Sequence, residues 1–191
     1  MMAKRINRRT DILDSARSHF MQRGFDGTSV QQIADTVGYT KAAIYYHFKE
    51  GKHEIITELL KDNLPDFSRI MDHCQNLSSL QELIQCWGEV IISRARHRLP
   101  MFQWIMKEFP NLREEERQLV RATQVACISN LTRKIGPFVE TEAEAQRLAI
   151  LLFSATLGYG MLFHGFGLDT EIDVSMEEYM HGLSDFIQLK E

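Results

Sequence analysis

The sequence predicts an all-α protein, with an N-terminal three-helix helix-turn-helix domain joined to a larger helical domain. Three observations favour this fold class. Apolar residues recur at spacings of three and four, capping residues stand just before those periodic segments, and no run alternates as a strand would. The 191 residues include only 4 Pro and 11 Gly, which leaves room for long helices.

The first two helices are predicted from one apolar stripe and one cap. The stripe of the first helix consists of Ile12, Leu13, Ala16 and Phe20. This helix is expected to stop at Gly24. Thr28 or Ser29 then offers a side-chain oxygen that caps a second, short helix through Val37.

A third helix follows a sharp turn at Gly38. Thr40 is its predicted cap, and it extends from Lys41 to about Phe48 with Ile44 and Phe48 pointing inward. Two short helices joined by a three-residue turn form a helix-turn-helix. The second helix of such a motif enters the major groove when its outer N-terminal face carries small or hydrogen-bonding groups.

Longer helices are predicted beyond residue 51 from caps and proline positions. They cover Lys52 to a bend near Pro65, Leu80 to about Arg98, Met101 to Glu108, a helix capped by residues 111–114 that ends at Lys134, a most apolar helix after Thr141, and a last helix from Ser175 to about Leu189. Leu99-Pro100 is expected to end the second of these helices.

The charge is unevenly distributed along the chain. The net charge is −4, but residues 1–52 carry nine basic and five acidic residues, a charge of +4, and the remainder carries −8. A small basic module on an acidic body favours a polyanionic partner such as DNA. Chance clustering of surface charge is the alternative.

Cysteine usage and hydropathy favour a cytoplasmic protein. Cys74, Cys86 and Cys127 are odd in number and form no CxxC, so neither a disulfide scaffold nor a structural zinc site is expected. The basic N-terminus precedes no apolar signal region. Residues 148–163 are apolar but too few to span a bilayer, so no membrane contact is expected. The histidines show no metal-binding spacing, and no cofactor or metal is predicted.

The segment GFDGTSVQQIADTVGYTKAAIYYHFKEGKHEII resembles the tetracycline-repressor (TetR) family of bacterial transcriptional regulators. The residues in register with the family pattern are Gly24, Phe25, Thr28, Val30, Ile33, Ala34, Gly38, Thr40, Ile44, Tyr45, His47, Phe48 and Lys52. The resemblance covers residues 8–60, about a quarter of the chain. It departs from the pattern at Tyr39, where an aliphatic residue is usual, and at Ala42, where Gly is frequent.

The resemblance implies roles for individual residues of the motif. Lys41 and Ala42 would contact base edges of a double-stranded DNA operator. The residues expected to contact phosphates are Thr28, Thr40, Tyr45, Tyr46, His47 and Lys52, and Tyr39 is expected to reach the backbone as well.

The resemblance also implies what the body does. It places a DNA-binding domain at residues 1–51 and an effector-binding and dimerisation domain at residues 52–191. The homodimer would form through the last two long helices, about 142–164 and 175–189. A small, hydrophobic effector would release the repressor from DNA, and its expected contacts are Trp87, Phe102, Trp104, Met106, Phe109, Phe153 and Met161.

Several alternatives stay open at this point. The chain shows no GxSxG, P-loop or GxGxxG, so an enzyme is not expected, although a small-molecule-modifying enzyme or a helical interaction module remains the rival function. The apolar segment at 148–163 would also suit the central helix of a monomer. Cys86 and Cys127 would serve as oxidant sensors or simply as buried thiols.

Overall fold

The computed structural model describes residues 8–64 and 73–188, and this part of the chain is helical without strands. The helices are α1 (Arg8–Arg23), α2 (Val30–Val37), α3 (Lys41–His47), α4 (Lys52–Asn63), α5 (Leu80–Glu108), α6 (Glu114–Ile135), α7 (Glu142–Tyr159) and α8 (Met176–Gln188). The all-α fold class is thereby confirmed. The bend expected at Pro65 lies outside the described residues.

The first helix ends, and the next two begin and end, where the sequence predicts. Gly24 ends α1 in a left-handed conformation with φ of 78°. Ser29, rather than Thr28, caps α2, because its hydroxyl accepts from the Gln32 backbone N–H while the Gln32 side chain accepts from the Ser29 N–H. Gly38 then turns the chain with φ of 69°.

Two compact units make up the described chain. The N-terminal unit contains residues 8–64 together with Trp104–Val120, and the C-terminal unit contains residues 73–103 together with residues 121–188. The predicted division into DNA-binding and effector domains at residues 51 and 52 is a functional one and stays a prediction.

The end of α5 and the start of α6 belong to the core of the N-terminal unit. The indole N–H of Trp104 donates to the Phe20 carbonyl at 2.8 Å, and the two rings stack at 5.9 Å. The Nδ1 atom of His53 lies 2.9 Å from a carboxylate oxygen of the buried Glu116. Glu116 also accepts from the Arg113 N–H and so caps α6, a role that the sequence analysis assigned to the segment beginning at residue 111.

The prediction that Leu99-Pro100 ends a helix is wrong. Helix α5 continues through Pro100 to Glu108 and includes the segment expected to be a separate helix. Proline lacks an N–H, so one backbone hydrogen bond is missing, while those on either side maintain the helix. Burial of Met101, Trp104 and Ile105 immediately afterwards favours the uninterrupted helix.

Although the cysteine pattern argues against a disulfide scaffold, the structure contains one disulfide. Cys74 and Cys86 are bonded to each other, with their Cα atoms 5.9 Å apart. Cys74 precedes α5 and Cys86 lies in its second turn, so the connecting chain folds back onto the helix. Cys127 remains a free, buried thiol, and burial raises its pKa.

The apolar helix spans the residues that the sequence predicts, about 142–164. Thr141 caps α7 by accepting from the Glu144 N–H, and a π-helical segment, Gly160–Gly165, extends it. Among the described residues, this combined helix, Glu142–Gly165, is the one long and apolar enough to cross a membrane by composition. Only 28% of its most apolar stretch is buried within the chain, so much apolar surface remains exposed.

Candidate nucleic-acid interface

Helix α3 has one buried face and one exposed face. Ile44 and the following Phe48 are fully buried in the N-terminal unit. Tyr46 lies on the opposite face and is 81% exposed, and Tyr45 is 43% exposed. A short helix cannot maintain itself in isolation, so this burial is what holds the outer face in place.

The N-terminal end of α3 presents small and basic side chains to solvent. Thr40 caps the helix by accepting from the Ala43 N–H at 3.2 Å. Lys41 and Ala42 are exposed immediately after it. The small methyl side chain of Ala42 leaves space for base edges. The Lys41 ammonium supplies N–H donors for hydrogen bonds that guanine oxygen and nitrogen atoms accept.

Two residues predicted to contact phosphates are engaged inside the N-terminal unit. Thr28 is buried, and its hydroxyl donates to the Gly24 carbonyl at 2.8 Å. The Lys52 ammonium donates to the Phe25 carbonyl at 2.7 Å and lies 4.4 Å from the centre of the Phe25 ring. Desolvation lowers the pKa of Lys52. In this arrangement both side chains stabilise the connection between α1 and α2.

Tyr39 and His47 occupy the edges of the exposed surface. The Tyr39 hydroxyl donates to Asp11 at 3.1 Å, and the Arg8 guanidinium lies 5.7 Å from its ring centre. Desolvation and the hydrogen bond to Asp11 raise the pKa of Tyr39. His47 is partly buried, with its ring edge against Tyr46 at 5.2 Å.

The structure therefore brings most of the predicted motif to one exposed surface. We define the reading surface as Thr40, Lys41, Ala42, Tyr45 and Tyr46. Tyr39 and His47 border it, whereas Thr28 and Lys52 support it from within the unit.

Sequence reasoning missed a basic residue next to this surface. Arg9 donates to the His47 carbonyl at 2.6 Å and pairs with Glu58. Its partners stand 38 and 49 residues away, so no local pattern connects them. The only signal in the sequence was the excess of basic residues near the N-terminus.

The predicted effector contacts are divided between the two units. Trp104, Met106 and Phe109 belong to the N-terminal unit, where Trp104 is a core residue. The other four belong to the C-terminal unit: Trp87 and Phe153 are buried there, Phe102 is partly buried, and Met161 is exposed. The Trp87 indole N–H donates to the Thr156 hydroxyl at 3.1 Å.

Within residues 8–64 and 73–188, no three His, Cys, Asp or Glu side chains lie close enough together to hold a metal ion. The pair formed by His164 and Asp169, 3.6 Å apart, stands near the end of the π-helical segment.

The helices predicted to form a dimer carry exposed apolar side chains. Those on α7 and its π-helical extension are Ile150, Leu151, Met161 and Leu162, and each is more than 40% exposed. On α8, Phe186 is 58% exposed. Exposed apolar side chains that form a contiguous patch mark a surface that another molecule covers.

Comparison with known proteins gives consistent matches. The family described as bacterial regulatory proteins, tetR family, matches residues 12–59. The HTH-type transcriptional regulator TtgR of Pseudomonas putida is 27% identical over 158 residues, covering 76% of this chain and 75% of TtgR. The HTH-type transcriptional repressor KstR2 of Rhodococcus jostii is 39% identical over 59 residues, which are 31% of this chain and 28% of KstR2.

A solved structure shares the fold over nearly the whole chain. The TetR family transcriptional regulator PfmR from Thermus thermophilus matches with a TM-score of 0.67 at 22% identity. The match covers 92% of this chain and 96% of PfmR.

Proposed function

We propose that α3 is the recognition helix of a ligand-responsive DNA-binding transcriptional regulator of the tetR family, whose family model matches residues 12–59. The single observation that carries this proposal is the two-faced character of α3. Ile44 and Phe48 are buried in the N-terminal unit, while the reading surface faces solvent. In this proposal Lys41 and Ala42 contact base edges, and Thr40, Tyr45 and Tyr46 contact the flanking phosphates.

The remaining predicted DNA contacts have a supporting role in this proposal. Thr28 and Lys52 hold the α1–α2 connection, and Tyr39 and His47 border the surface within reach of the backbone. The Lys52 ammonium has three N–H donors, so it could contact a phosphate while it keeps its hydrogen bond to the Phe25 carbonyl.

The test of the recognition helix compares two lysines. Lys41→Ala should weaken operator binding by about 1–3 kcal/mol and relax specificity at one base position. Lys61→Ala is the matched control, because Lys61 is an exposed lysine near the end of α4. Operator fragments selected from a random pool supply the DNA. Equal losses in the two variants would contradict the proposal.

The regulator is proposed to bind a palindromic operator as a homodimer through α7 and α8. Two recognition helices must stand about 34 Å apart to reach successive major grooves on one side of B-DNA. The exposed apolar residues of α7 and α8 give a second copy of the chain a surface to cover. Burial of these residues in the dimer would account for the long apolar helix without any membrane. We therefore place the protein in the cytoplasm, together with its DNA.

Charge introduced on α7 tests the dimer. Leu151→Glu should give a monomer in sedimentation and remove most operator affinity, because one module alone makes few contacts. Val125→Glu is the control, since Val125 is an apolar residue on α6 that is 62% exposed. A dimer that persists in Leu151→Glu, or equal dissociation in both variants, would refute this interface.

Effector binding is proposed for the C-terminal unit, with Trp87 and Phe153 among its contacts. Both are aromatic residues of that unit's core, which favours a hydrophobic small molecule. Effector binding would favour a state in which the two recognition helices no longer match the operator, so that repression ends.

The two tryptophans allow this placement to be tested by fluorescence. Trp104→Phe leaves Trp87 as the reporter of the C-terminal unit, and Trp87→Phe leaves Trp104 in the N-terminal unit. A hydrophobic compound that releases the operator should change the emission of Trp87 by direct contact. A response confined to Trp104 would contradict the placement.

A further inference from the structure

Arg9 connects three helices of the N-terminal unit at the end of the recognition helix. It stands on α1, and its Nη1 donates to the carbonyl of His47, the last residue of α3, at 2.6 Å. Its Nε donates to Glu58 on α4 at 3.0 Å, and its Nη2 donates to the second carboxylate oxygen of Glu58. The guanidinium also lies 4.2 Å from the centre of the Phe48 ring.

We propose that Arg9 is a positioning residue, which fixes the C-terminal end of α3 against α4 and thereby sets the orientation in which the reading surface meets a base sequence. This inference rests on the proposed function of α3. Within it, Arg9 acts through the His47 carbonyl and through Glu58, and its guanidinium need not contact DNA.

The end of α3 requires such an external partner. The last carbonyls of a helix have no hydrogen-bond partner within it, and α3 has only seven residues. A positive charge at that end also interacts favourably with the partial negative charge of the helix C-terminus. Arg9 supplies both the donor and the charge.

The contacts depend on the shape of the guanidinium. Its planar fork engages both oxygens of Glu58 while a third N–H donates to His47 and the flat face covers Phe48. A lysine ammonium keeps the charge but cannot make these contacts together. Orientation, rather than charge alone, is therefore what Arg9 contributes.

The pair contributes little to overall stability. The side chains of Arg9 and Glu58 are 39% and 27% exposed, and ion pairs in such positions are weakened by solvent. Removal of the pair should consequently leave the unit folded and release only the end of α3. The effect should be seen in DNA recognition.

A direct phosphate contact by Arg9 is the competing role. Glu58, and Glu54 at 3.9 Å, already surround the guanidinium with negative charge, which makes it a poor phosphate ligand. Salt dependence separates the two roles, because loss of a phosphate contact lowers the slope of log affinity against log salt by about one.

The experiment measures binding of Arg9→Gln, Arg9→Lys and Glu58→Gln to a selected operator and to random duplex DNA over a range of salt concentrations. Arg23→Gln is the control, because it removes one exposed basic residue from the same helix. Arg9→Gln should lose about tenfold or more in operator affinity, since a charge-assisted hydrogen bond is lost. Its affinity for random DNA and its salt slope should match those of Arg23→Gln.

Several results would overturn the positioning role. Equal losses on operator and random DNA with a lower salt slope would assign Arg9 to a phosphate. Full recovery by Arg9→Lys would mean that charge alone suffices, and unchanged operator binding in Arg9→Gln would leave Arg9 without a role. Failure of the proposed function is distinguishable, because the wild-type protein would then not discriminate operator from random DNA.

A double-mutant cycle guards against a folding defect. If Arg9 acts through Glu58, the double variant Arg9→Gln/Glu58→Gln should lose no more operator affinity than Arg9→Gln alone. Additive losses would contradict the proposal.

Amide hydrogen exchange adds a local readout. The Phe48 N–H, which is bonded to the Ile44 carbonyl, should exchange faster in Arg9→Gln, while the exchange rate of the Leu64 N–H, which is bonded to the Leu60 carbonyl in α4, should not change. If Arg9→Gln does not fold, Glu58→Gln must by itself weaken operator binding selectively, and a lack of selectivity refutes the proposal.

Discussion

Reduction of the disulfide between Cys74 and Cys86 should destabilise the C-terminal unit by a predictable amount. The bridge closes a loop with a sequence separation of 12, and loop-closure entropy assigns about 3 kcal/mol to a loop of that length. Cys74 and Cys86 both pack within the core of the unit, and the Cys74 carbonyl accepts from the Lys134 ammonium at 3.1 Å. The reduced segment would therefore gain freedom in the unfolded state and lose order in the folded one.

The assay is chemical denaturation followed by Trp87 fluorescence in a Trp104→Phe background, with and without a dithiol reductant. Reduction should lower the free energy of unfolding by about 3 kcal/mol, or the midpoint of thermal unfolding of this unit by roughly 10 °C. Alkylation after denaturation verifies the covalent state, with one free thiol, Cys127, before reduction and three afterwards.

The double variant Cys74→Ser/Cys86→Ser is the control for the reductant itself. It should be about as stable as the reduced protein and should not respond to reductant. The reasoning is refuted if the disulfide is present by mass and the oxidised and reduced proteins nevertheless unfold with equal free energies. Three free thiols in protein purified without reductant would refute the bridge.

Two further predictions concern the packing and the caps of the C-terminal unit. Gly88→Ala should destabilise it by about 1–3 kcal/mol, because the new Cβ would lie 2.8 Å from Met180 Cγ. Gly136→Ala is the control and should change the free energy of unfolding little, because no atom lies within 4 Å of its new Cβ. Equal effects of the two substitutions in urea unfolding would be inconsistent with this packing. Hydrogen bonds from the Ser175 backbone N–H and hydroxyl lower the pKa of Glu178 below its ordinary value of 4.5, so the stability that they provide is present above pH 4.5 and is lost as the pH falls through the lowered pKa. Stability measured between about pH 6 and pH 3 should therefore fall less steeply in Glu178→Gln than in the wild type, and parallel curves would contradict the role of this cap.

Local features of the fold were predictable because their causes are local. Ser29, Thr40, Thr141 and Ser175 each cap the helix that the sequence assigned to them, since a cap depends on residues three positions apart. The sealed positions Ile44 and Phe48 follow from helical spacing in the same way.

Features that depend on distant contacts were not predictable. The disulfide requires the chain before α5 to fold back, and cysteine spacing does not encode that path. Helix α5 passes through Pro100 because burial of the residues that follow outweighs one missing hydrogen bond. Trp104 was grouped with the effector contacts by its size, although its partner is the Phe20 carbonyl, 84 residues away.

The same distinction applies to the recognition motif. Helical spacing together with the family resemblance identified the exposed residues Lys41, Ala42 and Tyr46, but neither could show that Lys52 is held at the Phe25 carbonyl. The contribution of Arg9 depends on partners in two other helices and is visible only in three dimensions.

Hydroxyl-radical footprinting of a selected operator, at a protein concentration that saturates it, tests most directly whether paired copies of α3 read DNA. Two protected patches on one face of the duplex, with centres about 34 Å or 10 base pairs apart, are expected for the wild type, and Lys41→Ala should lose both together. A single protected patch, or uniform protection without any sequence preference, would contradict the account.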